Sequence, residues 1–98
     1  MKLVIKNIKE NSVNMLRKVG YVFQRHEGSE MSFVRVLARS GFPRFHVFVK
    51  MKENNLLINI HLDQKKETYG KAKRHHGEYS DSQLLNEEIE RIREIIQG

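Results

Sequence analysis

The sequence predicts a single α+β domain, residues 1–98, in which a four-stranded antiparallel sheet carries two helices on one face. Its length suits one modest core. Four apolar runs follow one another with short turns between them, which is typical of an antiparallel meander. Patterns of helical spacing precede and follow those runs. The predicted order is therefore α-β-β-β-β-α, with both apolar helix stripes buried against the same side of the sheet.

The first helix is predicted over SVNMLRKVG, residues 12–20. Ser12 is a candidate N-cap, and Gly20 is a natural stop just beyond the last turn. Apolar residues recur at helical spacing between them, at Val13, Leu16 and Val19. The preceding segment KLVI, residues 2–5, is either an extra N-terminal strand or an extended arm.

The first two strands of the meander follow this helix. YVFQR is predicted as a strand, EGSE (27–30) as a turn, and MSFVRVLAR (31–39) as the next strand because apolar and polar residues alternate along it. SGFP (40–43) contains the single proline and is predicted as a turn.

The last two strands form a hairpin over residues 44–63 with its turn at Asn54-Asn55, because asparagine tolerates a positive φ. A two-residue turn places His46 opposite Asp63, whereas a four-residue turn places it opposite His61. Both registers bury the aliphatic rows, and a slip of one residue exposes them. In either register the second face carries His46, Phe48, Lys50, Asn59, His61 and Asp63.

The chain ends in a long loop, residues 64–80, and a helix over SDSQLLNEEIERIREIIQG. Ser80 and Gln83 form a candidate capping box at the start of this helix. Its apolar stripe is formed by Leu85, Ile89, Ile92 and Ile96. The loop is rich in lysine, glycine and histidine, and a loop of this length in a small domain is usually functional.

Composition favours a soluble cytoplasmic protein with a polyanionic partner. The net charge is +6, and residues 1–80 alone carry +9 while the last segment carries −3. Such a basic body favours contacts with phosphates. The absence of cysteine excludes disulfides and thiolate metal sites. No apolar run has the length of a membrane span, and the N-terminus has no secretion-signal pattern.

The second face of the sheet is predicted to bind RNA or single-stranded nucleic acid. Alternation in the strand 31–39 places Phe33, Arg35, Leu37 and Arg39 on this face, where aromatic rings stack bases and cations hold phosphates. The other interpretation is that these rings pack under the loop or against a protein partner, including a second copy. The residues predicted to bind nucleic acid are Phe33, Arg35, Arg39, Phe48, Lys50, Lys65, Lys66, Lys71, Lys73 and Arg74.

The histidines leave an enzymatic alternative open. His46, His61 and Asp63 are candidate catalytic residues, because two imidazoles and a carboxylate can act as acid and base in a small ribonuclease. The same three residues, with His76 and Glu78 from the loop, are a candidate zinc or manganese site of a metal-dependent hydrolase. No metalloprotease, P-loop, dinucleotide-binding or serine-hydrolase motif is present.

Two resemblances to known families accompany these patterns. LRKVGYVFQRHEGSEMSFVR, residues 16–35, resembles the opening of HicA-type toxins, which are small RNA-cleaving proteins with a double-stranded-RNA-binding-like fold. The matching residues are Leu16, Gly20, Tyr21, Gly28 and Ser29, but Glu30 stands where that family has its catalytic histidine. The segments FPRFH, HLDQKK and HHGEY resemble a group of small prokaryotic proteins. That resemblance implies no activity, but it directs attention to His46, His61, Asp63 and residues 76–78.

Overall fold

In the part of the chain that the structure describes, five strands form an antiparallel sheet that is accompanied by two helices. The computed structural model describes residues 1–64 and 81–98. The elements in chain order are β1 (Lys2–Ile5), α1 (Ser12–Lys18), β2 (Val22–Glu27), β3 (Glu30–Val36), β4 (Arg44–Lys52), β5 (Asn55–Asp63) and α2 (Asp81–Gln97). The strand order in the sheet is β1-β5-β4-β3-β2. The α+β prediction is confirmed, and the KLVI segment is a strand that pairs with β5.

The core lies between one face of the sheet and the two helices. Met15 and Leu16 of α1, and Ile89 and Ile92 of α2, belong to the same buried cluster as the inward rows of the strands. Those strand residues are Leu3, Ile5, Phe33, Phe45, Val47, Val49, Leu56, Ile58 and Ile60. Both helices therefore pack on one side of the sheet, as the apolar stripes predict. No helix in the described parts of the chain is long and apolar enough to cross a membrane.

The β4–β5 hairpin turns at Glu53-Asn54, one residue earlier than predicted. Asn55 is already in β5 and pairs with Lys52, while Glu53 adopts the positive φ (61°) that the turn requires. This two-residue turn sets His46 directly opposite His61, which is one of the two registers compatible with burial of the aliphatic rows. The predicted turn at Asn54-Asn55 is wrong because the backbone of Asn55 is used in strand pairing.

Helix α1 begins with an asparagine cap. The side-chain oxygen of Asn11 accepts hydrogen bonds from the backbone N–H groups of Val13 at 2.7 Å and Asn14 at 3.2 Å. The prediction of Ser12 as N-cap is therefore wrong by one residue; Ser12 is the first helical residue and is buried. Gly20 follows the C-cap Val19 with φ of 98°, so its predicted place beyond the helix end is confirmed.

The faces of β3 are opposite to the prediction. Phe33 pairs with Val47 and Arg35 pairs with Phe45, so both point toward the helices. Phe33 has no exposed surface. The alternation of β3 is ambiguous because Val34 is also buried, on the other face, so both faces of this strand carry apolar residues. The expectation that Phe33 and Arg35 lie on the open face is wrong.

A buried ionic cluster fastens α2 to the sheet and to the end of α1. The carboxylate of Glu88 accepts hydrogen bonds from the Tyr21 hydroxyl at 2.7 Å, from Arg35 at 3.2 Å, and from two nitrogens of Arg91 at 2.9 Å each. Arg91 also donates to the backbone oxygen of Val19 at 2.6 Å. Burial, followed by the neighbouring Glu88 carboxylate, raises the pKa of Tyr21 well above its ordinary value. Arg35 is therefore a structural partner of the second helix.

Candidate functional site

The second face of the sheet gathers the chemically versatile side chains of the hairpin. We call it the histidine face. The strand register assigns to it Ser32, Val34, Val36, Arg44, His46, Phe48, Lys50, Leu57, Asn59, His61 and Asp63. Both helices contribute their buried residues to the opposite side. The register of β4 and β5 assigns His46, His61 and Asp63 to the same face of the sheet.

Asp63 is the centre of a small ionic group at one end of this face. One of its carboxylate oxygens, Oδ2, lies 3.3 Å from Nδ1 of His46 and 3.3 Å from Nε of Arg44. Arg44 pairs directly with Asp63 across the strands, and its guanidinium also lies 4.6 Å from the centre of the Phe42 ring. Asp63 therefore has a positive partner on one side and an imidazole on the other.

The imidazole of His46 has one partnered and one unpartnered nitrogen. Burial lowers the pKa of His46, and the attraction of Asp63 only partly opposes this effect. The ring is therefore neutral near pH 7, and the proximity of Asp63 favours the tautomer with its proton on Nδ1. The second nitrogen, Nε2, is buried and has no hydrogen-bond partner among residues 1–64 and 81–98. Its lone pair is therefore not satisfied by any donor in that part of the chain.

The aromatic ring of Phe48 lies close to both imidazoles. The ring centre of Phe48 lies 4.5 Å from that of His46 and 5.6 Å from that of His61. Phe48 is half-buried and His61 is exposed. The three rings form a continuous group across β4 and β5, because Phe48 follows His46 by two positions and His61 is opposite His46.

The cationic side chains of the histidine face differ in whether an acidic side chain pairs with them. Arg44 is paired with Asp63, and Arg25 at the sheet edge is paired with Glu27 at 2.6 Å. Lys50 lies two positions beyond Phe48 on the same face, and no ion pair among the described residues involves it. Lys2 of β1 pairs with Asn59 of this face and likewise has no ion pair among the described residues, so Lys50, beside Phe48, and Lys2 are the cations of this face free to contact an anion.

The other predicted binding residues are distributed outside this group. Arg39 is exposed and follows the end of β3, whereas Phe33 and Arg35 face the helices. The remaining predicted residues, namely Lys65, Lys66, Lys71, Lys73, Arg74, His76 and Glu78, lie outside the described residues. Within residues 1–64 and 81–98, no group of three or more histidine, cysteine or acidic side chains is arranged to hold a metal ion. Two of the five candidate metal ligands, His76 and Glu78, belong to the segment that is not described, so the five-residue site stays a prediction.

The sequence patterns were not used to assign two residues, Arg44 and Ser32, to the histidine face. Arg44 has the same alternation as His46 and Phe48, and that signal was sufficient to find it. Ser32 is buried opposite Phe48, and its hydroxyl has no hydrogen-bond partner among the described residues. Its place depends on the face of β3, which the alternating pattern does not decide.

Comparisons with protein-family models, with curated proteins and with solved structures find no match to this chain. The function must therefore be argued from the site alone.

Proposed function

We propose that the histidine face binds RNA or another single-stranded nucleic acid. The observation that carries this proposal is the contact of the Phe48 ring with two imidazoles, on the sheet face opposite both helices. Every base has a flat π-face, so a group of rings on a sheet accepts unpaired bases without requiring one sequence. Base stacking on such rings is worth about 1–3 kcal/mol per base.

The charges of the site support a role for the nucleic-acid backbone. Lys50 stands beside the rings, and the chain as a whole carries a net charge of +6. Asp63 opposes an anion, but its charge is balanced by the neighbouring Arg44 guanidinium. In this arrangement Phe48 and His61 contact bases and Lys50 contacts a phosphate, while His46 and Asp63 fix the end of the group.

Fluorescence polarisation of a labelled single-stranded RNA tests the proposal. We expect affinity to fall steeply between about 50 mM and about 200 mM salt, because phosphate contacts release counterions. Phe48→Leu should weaken binding by roughly 5- to 150-fold, which corresponds to about 1–3 kcal/mol for one lost stack. Phe23→Leu is the matched control, since Phe23 is an exposed ring that pairs with Phe33 on the helix side.

Lys50→Gln separates backbone contact from stacking. We expect it to weaken binding to all sequences similarly and to reduce the salt slope by about 0.7, as one phosphate contact to a single strand would require. Lys18→Gln, on α1 and on the opposite side of the sheet, should leave the slope unchanged. No binding at low salt would refute nucleic-acid recognition. A concentration-dependent mass in light scattering would then favour the alternative, a face that docks a second copy.

A further inference from the structure

We propose that the histidine face also cleaves the RNA it binds, with His46 as general base and His61 as general acid. The reaction is attack of a ribose 2′-hydroxyl on the adjacent phosphodiester. This inference rests on the proposed function, because the substrate must first lie across the rings of β4 and β5.

The strand register supplies the spacing that this reaction needs. His46 and His61 are directly opposite each other on neighbouring antiparallel strands. In such a pair the two Cβ atoms are about 4.5–5.5 Å apart, and both side chains project to the same side of the sheet. Two imidazoles at this separation reach opposite sides of one phosphate, where a nucleophile enters and a leaving group departs.

The environment of His46 suits a base. Asp63 lies 3.3 Å from Nδ1, so it orients the ring and favours the tautomer that leaves Nε2 as the acceptor. Asp63 is therefore a positioning residue. Among the described residues Nε2 has no hydrogen-bond partner, so its lone pair is not already engaged by a donor there. Burial also keeps His46 neutral near pH 7. Because Nε2 is buried in the free chain, bound RNA must shift a neighbouring side chain to reach it.

The step balances without any further reactant. Nε2 of neutral His46 takes the proton of the 2′-hydroxyl, and the 2′-oxygen forms a bond to phosphorus. The bond from phosphorus to the 5′-oxygen breaks, and His61 in its protonated form gives its proton to that oxygen. The products are a 2′,3′-cyclic phosphate and a free 5′-hydroxyl. Lys50 is positioned on the same face to stabilise the negative charge that develops on the phosphate oxygens.

The test is incubation of end-labelled single-stranded RNA with the full chain in the presence of a chelator. We expect cleavage to a 2′,3′-cyclic phosphate and none of the matching oligonucleotide with 2′-deoxyribose. His61→Gln and His46→Gln should each lower the rate by about 10²- to 10⁴-fold. His61 is exposed, so its variant should fold normally, and a circular dichroism spectrum checks both. His26→Gln is the matched control, because His26 pairs with Met31 on the helix side of the edge strand.

Asp63→Asn tests the positioning role through the pH profile. We expect the bell-shaped dependence of kcat/KM on pH to persist in this variant with a displaced acidic limb, since the limb reports the base that Asp63 orients. An unchanged profile would remove Asp63 from the mechanism.

The outcomes separate this inference from the proposed function. RNA that binds in the polarisation assay but stays intact overturns cleavage and leaves binding in place. RNA that does not bind overturns both. Cleavage that survives in His46→Gln and His61→Gln, or that the chelator abolishes, overturns the assignment of the two histidines as a metal-free acid and base.

Discussion

Replacement of Glu88 by alanine should be among the most destabilising single changes on α2. The carboxylate is 4% exposed and accepts hydrogen bonds from one hydroxyl and two guanidinium groups. Removing one partner of a buried ion pair costs about 3–5 kcal/mol, because the remaining charges lose their compensation. Arg35 and Arg91 are about one third exposed and can turn toward water, so we expect about 3 kcal/mol.

Urea unfolding followed by circular dichroism measures this loss. Glu94→Ala is the control, because Glu94 is exposed on the same helix and should change stability by less than about 0.5 kcal/mol. The slope against urea should stay constant in both variants, so that the midpoints alone report the difference. A loss below about 1 kcal/mol for Glu88→Ala would refute the view that this cluster holds α2 to the sheet. A double-mutant cycle with Tyr21→Phe then measures their coupling.

Three further predictions concern titration and helix capping. The pKa of Tyr21 is raised in the folded chain, so on raising the pH the phenol loses its proton in the unfolded state first. The free energy of unfolding should therefore fall as pH rises above about 10. Urea unfolding of Tyr21→Phe at alkaline pH should show a weaker decrease in stability. The pKa of His46 is lowered in the folded chain, so its contribution to stability is present above about pH 6.5 and is lost as pH falls. His46→Gln should therefore make the urea midpoint depend less on pH in the acidic range. An equal pH dependence in this variant would contradict the burial of the ring. Asn11→Ala should cost about 1 kcal/mol by removing the α1 cap, measured by thermal unfolding, whereas an unchanged midpoint would argue against capping.

The sequence predicts most of the fold because strong patterns govern its two ends and its central hairpin. Burial of the apolar stripe of α2 and of the apolar rows of β4 and β5 decides which face of each element points to the core. The errors occur where two neighbouring residues offer the same chemistry. Asn11 and Ser12 are both good caps, and Asn54 and Asn55 both suit a turn, so the choice depends on tertiary pairing.

The candidate site was predictable only where alternation was unambiguous. His46, Phe48 and His61 follow from rows in which every second residue is aliphatic. The sequence of β3 does not show which face points to the core, because Phe33 is buried on one face and Val34 is buried on the other. The partner that decides the face of Arg35 is Glu88, which is distant in sequence and has the appearance of a solvent-exposed helical residue. Long-range ionic pairing of this kind leaves no periodic signal.

The two ionic groups on opposite faces of the sheet differ in how well their polar atoms are satisfied. On the helix side, Glu88 receives donors from three residues, and breaking that set is costly in every state of the protein. On the histidine face, Asp63 engages one nitrogen of His46, while the other nitrogen is buried and has no partner in the part of the chain that the structure describes. A buried polar atom without a partner destabilises the free chain unless a bound group completes it. The satisfied group therefore explains how α2 is held to the sheet, and the unsatisfied nitrogen is the reason for proposing that a ligand binds at the histidine face.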